Sequence, residues 1–198
     1  MKIYCLDLEG VLIPEIWIKV SEKTKIKELR LTTRDIPDYD VLMKRRLKIL
    51  REKNIKLRDI QKVISAIQPL PGAKLFLDML RSRSQVVILS DTYYEFAMPL
   101  MRKLGDPVLL CNWLETDKAG FITHYRLRQR NGKEKAVRGL KRIGFKIHAV
   151  GDSYNDITML KAADKGVLFN PPANIVKEFP EFRITKNYKE LLGALLKD

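Results

Sequence analysis

The sequence predicts an α/β fold in which a doubly wound, mainly parallel sheet carries an inserted helical cap. Short apolar runs rich in β-branched residues recur along the 198-residue chain, at residues 2–8, 85–89, 107–111, 146–150 and 165–169. They are apolar throughout rather than alternating, which is typical of parallel strands covered on both faces. Segments of helical length separate the first four runs. A β-hairpin is also predicted between Trp113 and Arg130, around a turn at residues 117–120.

Between residues 15 and 68 the apolar side chains repeat at helical spacing, which predicts an all-helical cap. The periodic positions are Val41, Leu42, Leu47, Ile49 and Leu50, then Leu57, Ile60, Val63, Ile64 and Ile67. Pro69-Leu70-Pro71-Gly72 ends this insertion, because proline cannot continue a helix and glycine lets the chain turn back. Residues 1–14 and 69–198 are therefore the predicted core, and residues 15–68 are the predicted cap domain.

The charge of the chain is strongly basic. It has 38 Lys and Arg residues against 24 Asp and Glu residues, a net charge of +14. Such an excess attracts either nucleic acid or small phosphorylated molecules. We expect no nucleic-acid partner, because there is no zinc-finger spacing and no aromatic and basic pattern typical of base recognition. A nucleic-acid-binding protein with a vestigial enzyme fold is the alternative from a different class.

Membrane and oxidising environments are not indicated by the sequence. No stretch approaches the roughly 18 consecutive apolar residues of a membrane helix, and the first residues lack a signal-peptide pattern. Cys5 and Cys111 each lie in an apolar run, which favours reduced thiols over a disulfide or a metal site. We therefore expect a cytoplasmic protein with no membrane partner.

Polar clusters follow the carboxyl ends of three predicted strands. They are Asp7-Leu8-Glu9, Ser90-Asp91-Thr92 and Gly151-Asp152-Ser153-Tyr154-Asn155-Asp156. Ligands of open α/β sheets bind at this edge, so residues far apart in sequence can meet there in one crevice. Strand direction alone thus predicts a shared site.

The residue types in these clusters suit phosphate chemistry. Asp7 and Asp152 offer the hard oxygen ligands that magnesium prefers. With the phosphate charge screened, an aspartate can attack phosphorus and form an acyl phosphate while Glu9 moves the protons. Ser90, Lys133 and the amides after Ser90, at an expected helix N-terminus, would hold phosphate oxygens. Each motif alone is more typical of a turn, a helix cap or a solvated lysine, but all of them in this order favour a catalytic site.

These motifs resemble those of the haloacid dehalogenase superfamily, whose core is a Rossmann-like sheet. The matching residues are Asp7-Leu8-Glu9-Gly10-Val11, Ser90, Lys133, Gly151-Asp152 and Asp156. The helical insertion resembles the phosphoserine phosphatase branch, and two runs resemble its bifunctional phosphoserine phosphatase and phosphoserine:homoserine phosphotransferase subgroup. The runs are residues 5–11 with Pro14-Glu15-Ile16-Trp17, and Thr33-Arg34-Asp35-Ile36-Pro37-Asp38-Tyr39-Asp40. Glu9 departs from the aspartate usual in that branch, and its extra methylene shifts the carboxylate without removing its chemistry.

The resemblance implies a Mg²⁺-dependent phosphoserine phosphatase that acts through an aspartyl-phosphate and also transfers phosphate to homoserine. A phosphatase for another small phosphomonoester is the alternative, since one fold serves many substrates. Asp7 would be the nucleophile and a metal ligand. Glu9 would be the general acid-base, with its backbone carbonyl on the metal. Asp152 would bind the metal directly, and Asp156 through water or by orienting its neighbours.

The resemblance also assigns the substrate-binding residues on the phosphate side. Ser90 and Lys133 would bind the phosphate, with Asn155 close by. Asp91 is counted among the substrate-binding residues, although Asp91-Thr92 stands where the family often has two glycines. The sequence leaves open whether the protein forms a homodimer.

Glu15 and Arg46 match cap positions that hold the amino and carboxylate groups of phosphoserine. A zwitterionic amino acid needs one anion and one cation, and arginine can bind a carboxylate through two hydrogen bonds. Arg46 is preferred over Lys44 and Arg45, because the resemblance favours it and helical spacing places it with the apolar residues of the same segment.

Overall fold

The computed structural model describes residues 1–32, 35–36 and 38–197. Within these residues seven strands form one sheet, namely β1 (Lys2–Leu6), β2 (Gln85–Tyr93), β3 (Val108–Thr116), β4 (Ile122–Arg126), β5 (Lys146–Gly151), β6 (Lys165–Phe169) and β7 (Arg183–Thr185). Their order is β4-β3-β2-β1-β5-β6-β7. Every neighbouring pair is parallel except β3 and β4, which are antiparallel. The predicted α/β class with a mainly parallel sheet is confirmed.

Helices cover both faces of this sheet. In chain order they are α1 (Ile16–Thr24), α2 (Tyr39–Glu52), α3 (Leu57–Ala66), α4 (Ala73–Arg81), α5 (Tyr94–Lys103), α6 (Gly132–Arg142), α7 (Ile157–Ala162), α8 (Ala173–Glu178) and α9 (Tyr188–Leu196). Side chains of β1 alternate between the faces, so Tyr4 and Leu6 share one hydrophobic cluster with α4 and α9. Ile3 and Cys5 share the other cluster with α6 and α7. Helices therefore shield both faces of the sheet from water, which explains why the strand sequences are apolar throughout.

The helical insertion, residues 15–68, contains α1, α2, α3 and a 3₁₀ turn at Lys27–Arg30. Its buried side chains include the predicted periodic positions Leu42, Leu50, Ile60 and Ile64. These residues belong mostly to the same hydrophobic cluster as the α4 face of the sheet. Of the run that resembles the bifunctional subgroup, Thr33, Arg34 and Pro37 lie outside the described residues. No helix in the described ranges is both long and apolar enough to cross a membrane.

The predicted hairpin is confirmed, and its first arm is the end of the long strand β3. The turn is closed by hydrogen bonds between Asp117 and Phe121 and between Gly120 and Asp117. Its tip contacts the helical insertion, where the Leu57 amide donates to the Gly120 carbonyl at 3.0 Å. Arg51 pairs with Asp117 at 2.8 Å and lies over the Phe121 ring. The hairpin therefore joins the insertion to the edge of the sheet.

Strand β2 is longer than the sequence suggests. The apolar run ends at Leu89, yet the strand continues to Tyr93 with a shift in its register against β3. The expectation of a helix N-terminus directly after Ser90 is therefore wrong, since α5 begins at Tyr94. Pairing with β3 holds this polar segment extended, an interaction between distant parts of the chain that local composition does not reveal.

Candidate active site

The first strand delivers Asp7 to the carboxyl edge of the sheet. Asp7 follows β1 directly, and its amide donates to the Val150 carbonyl at 2.9 Å, which continues the pairing with β5. The chain then turns at Gly10, whose φ is +78°. The Gly10 amide donates to Ile13 at 2.8 Å, so the loop closes on itself. Asp7 is thereby fixed and buried.

The loop after β5 is organised around the fully buried carboxylate of Asp156. One oxygen, Oδ2, accepts hydrogen bonds from the amides of Asp152 at 3.0 Å and Ser153 at 3.1 Å. The other, Oδ1, accepts from Lys133 at 2.8 Å. A Cβ at Gly151 would lie 2.2 Å from the Asp156 Cβ, so only glycine leaves room for this packing. Both oxygens of Asp156 thus orient the loop that carries Asp152.

Lys133, in the first turn of α6, is the cation at the centre of the site. Its Nζ lies 2.8 Å from Asp7, 2.8 Å from Asp156 and 3.5 Å from Asp91. Burial acts to lower the pKa of Lys133, but the carboxylates of Asp156 and Asp7 outweigh it and hold that pKa well above its ordinary value. The amine is therefore charged and ties three segments together.

Carboxylates outnumber this cation. Oxygen atoms of Asp7, Asp152 and Asp156 lie within 4.8 Å of one another. Burial, followed by repulsion from Asp156, raises the pKa of Asp7 well above its usual range, and the same causes raise the pKa of Asp152 to about 7. Buried oxygen ligands with surplus negative charge are what a hard divalent cation requires. Asp7 and Asp152 fit such an ion as direct ligands, whereas Asp156 already uses both oxygens within the protein.

Glu9 is a carboxyl group held largely away from solvent. Burial, followed by the nearby Glu15 carboxylate, raises the pKa of Glu9 to about 8. Its Oε2 accepts a hydrogen bond from the Ile16 amide at 2.8 Å, at the start of α1. A carboxyl group with a pKa close to neutrality can both give and take a proton, which is the requirement for acid-base catalysis.

A cavity of about 690 Å³ brings the predicted residues together. Its wall includes Asp7, Glu9, Glu15, Arg46, Ser90, Asp91, Lys133, Asp152 and Asn155. Asp156 is the exception, because it lies beneath the wall and is fully buried. Ser90 is buried and accepts a hydrogen bond from the Thr92 amide at 3.2 Å, while the Asp91 side chain is 49 % exposed.

Arg46 is buried, whereas Lys44 and Arg45 beside it are exposed, as the helical spacing predicts. Its guanidinium lies 4.3 Å from the centre of the Trp17 ring and donates to the Leu31 carbonyl at 2.7 Å. Among the described residues its Nε has no hydrogen-bond partner. Burial lowers the pKa of Arg46 from its ordinary value, yet arginine remains charged at neutral pH. This part of the cavity therefore carries a fixed positive charge.

Sequence reasoning gave no role to several aromatic residues of the cavity wall, among them Trp17, Tyr39 and Tyr93. Trp17 covers the Arg46 guanidinium and meets Phe96 edge to face at 5.5 Å. The hydroxyl oxygens of Tyr39 and Tyr93 are 2.6 Å apart. Aromatic side chains in mixed segments are ordinarily core residues, so nothing in the local sequence distinguished these three.

Comparison with known proteins agrees with this geometry. The model of the haloacid dehalogenase-like hydrolase family matches residues 1–164, and the chain belongs to that family. It is 56% identical over 197 residues to a protein of Pseudomonas syringae pv. tomato named phosphoserine phosphatase, covering 100% of this chain and 83% of the relative. It is 55% identical over 197 residues to phosphoserine phosphatase ThrH of Pseudomonas aeruginosa, covering 100% of this chain and 96% of the relative.

Solved structures show the same fold. A phosphoserine phosphatase in its apo form superposes with a TM-score of 0.79 at 23% identity, over 97% of this chain and 98% of the other. A phospho-aspartyl intermediate analogue of phosphoserine phosphatase gives a TM-score of 0.77 at 20% identity, over 97% of each chain. At these identities the likeness concerns the fold alone.

Replacing Gly10 by alanine should reduce activity far more than stability. A Cβ there would lie 2.4 Å from Cγ of Asp152, and the φ of +78° costs a non-glycine residue about 1–2 kcal/mol. Displacing Asp152 by about 1 Å should lower the rate of phosphate-ester hydrolysis roughly a hundredfold. Thermal melting and hydrolysis kinetics of Gly10→Ala measure both effects. The control is Gly139→Ala on α6, where the added Cβ would meet no atom within 4 Å outside its chain neighbours and the backbone of its own helix. Unchanged hydrolysis by Gly10→Ala would show that this contact does not fix Asp152.

Proposed function

We propose that the protein is a magnesium-dependent phosphoserine phosphatase that acts through an aspartyl-phosphate on Asp7. The main support is one cavity whose wall includes a nucleophile candidate and a buried lysine as well as Glu15 and Arg46. That set offers a place for each charged group of phosphoserine. Two relatives more than half identical to this chain carry the name phosphoserine phosphatase.

In the first half of the proposed reaction, Lys133 and Ser90 hold the phosphate oxygens while a carboxylate oxygen of Asp7 attacks phosphorus. A bond forms between that oxygen and phosphorus, and the ester P–O bond breaks. Glu9 gives its proton to the departing serine oxygen, so free serine leaves. In the second half Glu9 takes a proton from water, the water oxygen attacks phosphorus, and Asp7 is released as a carboxylate.

Magnesium, when bound, would screen the negative charge of phosphate from that of the attacking carboxylate. Asp7, Asp152 and the backbone carbonyl of Glu9 would hold it. Asp156 would act by fixing the amides of Asp152 and Ser153, which is the second of the two roles considered for it. Asn155 would lie beside the phosphate, and Asp91 beside Lys133.

The helical insertion, residues 15–68, is proposed to be the cap domain that selects the substrate. Glu15 would bind the ammonium group of phosphoserine and Arg46 its carboxylate. The guanidinium is held by Trp17 and the Leu31 carbonyl, so little side-chain freedom remains to be lost on binding. Phosphate chemistry and amino-acid recognition are thus assigned to different parts of the chain.

Homoserine is the proposed second acceptor of the phosphate. It carries the same amino and carboxylate groups as serine on a chain one methylene longer. Glu15 and Arg46 could therefore hold it after serine leaves, with its hydroxyl at phosphorus and Glu9 as the base. A well-positioned hydroxyl can compete with water, because alignment lowers the barrier by several kcal/mol.

Asp7→Asn should fold normally but lose at least roughly a thousandfold in phosphoserine hydrolysis, because the amide is a poor nucleophile. Removing magnesium from the wild type should abolish turnover as well. Release of phosphate measures both, and mass spectrometry excludes deamidation back to aspartate. Beryllium fluoride should be trapped on Asp7 of the wild type. Near-normal turnover by undeamidated Asp7→Asn would rule out the acyl-phosphate.

Arg46→Ala should impair phosphoserine use far more than hydrolysis of an aryl phosphate that has no charged group besides its phosphate, since only phosphoserine presents a carboxylate. Losing a charged hydrogen bond of this kind costs about 1.5–3 kcal/mol, or roughly tenfold to a hundredfold in kcat/KM. Arg45→Ala is the matched control, because Arg45 is the exposed neighbour. Equal losses on both substrates would instead indicate a misfolded insertion or a phosphatase for another phosphomonoester.

Phosphoserine labelled in its phosphate should yield labelled phosphohomoserine as well as inorganic phosphate when homoserine and magnesium are present. The fraction of label found in phosphohomoserine should rise with homoserine concentration, because homoserine and water compete for one phosphoenzyme. Chromatographic separation of labelled products measures the share. Inorganic phosphate alone across millimolar homoserine would contradict the transfer activity and leave the hydrolase activity standing.

A further inference from the structure

Two tyrosines join the helical insertion to the core at the cavity wall. Tyr39 begins α2, Tyr93 ends β2, and their hydroxyl oxygens are 2.6 Å apart. Both line the 690 Å³ cavity. Both rings also pack edge to face against Tyr125, at 5.8 and 6.2 Å. Contacts with the ring of Tyr125 therefore help to hold both tyrosine rings in place.

The hydrogens of this pair are not all used. Two phenol groups carry two hydrogens, and the single bond between them uses one. Within residues 1–32, 35–36 and 38–197 neither hydroxyl makes a second hydrogen bond. Burial raises the pKa of Tyr39 to about 12 and raises that of Tyr93 further, so both groups stay protonated at neutral pH. The pair is a donor available to a molecule in the cavity.

Arg46 indicates the chemical class of the molecule that the hydroxyl pair would bind. Tyr39 and Arg46 are seven residues apart on α2, which places them on one face of that helix, and both line the cavity. Tyr93 is joined to Arg46 by ring contacts, since Trp17 covers the guanidinium and packs on Phe96, which packs on Tyr93. A guanidinium and a free phenolic hydrogen are both donors, and arginine has no acceptor. The cavity wall also carries the carboxylates of Glu9, Glu15 and Asp91. Among these acidic groups, the donors of Arg46 and the hydroxyl pair favour an anion, and a carboxylate can accept up to about four hydrogen bonds.

We propose that the Tyr39–Tyr93 hydroxyl pair binds the carboxylate of the amino-acid phosphate together with Arg46. This inference rests on the proposed function, since it names further specificity-determining residues for that substrate. Tyr39 and Arg46 belong to the insertion and Tyr93 to the core. A carboxylate bound there contacts both parts, so substrates that carry one hold the two parts together around the phosphate.

The test compares O-phosphoserine with O-phosphoethanolamine, which has the same phosphate and amine and lacks only the carboxylate. The double variant Tyr39→Phe/Tyr93→Phe removes both hydroxyls and keeps both rings. Its kcat/KM for phosphoserine should fall at least about tenfold, mainly through KM, and stay within about twofold for phosphoethanolamine. Each single variant should lose less, because the remaining hydroxyl is freed to donate to the carboxylate.

Tyr125→Phe is the matched control. Tyr125 belongs to the same aromatic group, but its hydroxyl donates to exposed Asp40 and the residue does not line the cavity. Its ratio of the two kcat/KM values should match the wild type. The proposal is overturned if the double variant loses equally on both substrates, or if its ratio equals that of Tyr125→Phe.

The outcomes separate this inference from the proposed function. If Arg46→Ala abolishes the preference for phosphoserine while the double variant keeps it, the tyrosine proposal alone falls. If the wild type shows no preference for phosphoserine over phosphoethanolamine, carboxylate recognition is absent and both fall. Thermal melting identifies a misfolded double variant independently of activity, and in that case Tyr39→Phe and Tyr93→Phe decide through the same ratio.

Discussion

The buried ammonium group of Lys133 is the contact on which the site depends. It lies 2.8 Å from both Asp7 and Asp156, and its side chain is only 7 % exposed. Breaking a buried pair by removing one partner is costly, typically about 3–5 kcal/mol, because a charge is left uncompensated. The end of β1, the loop after β5 and the start of α6 therefore cannot move apart independently. Sheet order makes the contact possible, since β1 and β5 are neighbours.

The positive charge of Lys133 does not neutralise all of the carboxylates around it. Burial first, and then repulsion from Asp156, raises the pKa of both Asp7 and Asp152. A further cation would offset this repulsion, which agrees with the proposed magnesium and with a dianionic phosphate as the next ligand. Gly10 and Gly151 allow the carboxylates to pack this closely. The backbone at Gly10 contacts Asp152, and the backbone at Gly151 contacts Asp156.

The sequence predicts those parts that depend on local pattern. Apolar runs locate the core strands, and strand direction brings Asp7, Ser90 and Asp152 to one edge. Helical spacing separates buried Arg46 from exposed Arg45. Parts that depend on distant contacts were not predictable: the extension of β2 to Tyr93 comes from pairing with β3, and the hydroxyl contact of Tyr93 joins residues 54 positions apart. A short strand such as β7 also leaves too little pattern to detect.

Glu9 links the two parts of the molecule. Its carboxylate accepts a hydrogen bond from the Ile16 amide, the first residue of α1, and the additional methylene relative to aspartate extends its reach. That bond favours the charged form, whereas burial and Glu15 favour the neutral form. The insertion therefore acts on Glu9 in both directions, because Glu15 and the Ile16 amide are neighbours in the chain and have opposite effects on its pKa. One hydrogen bond, from the Ile16 amide to Glu9, thereby joins the proposed acid-base residue to the start of the insertion.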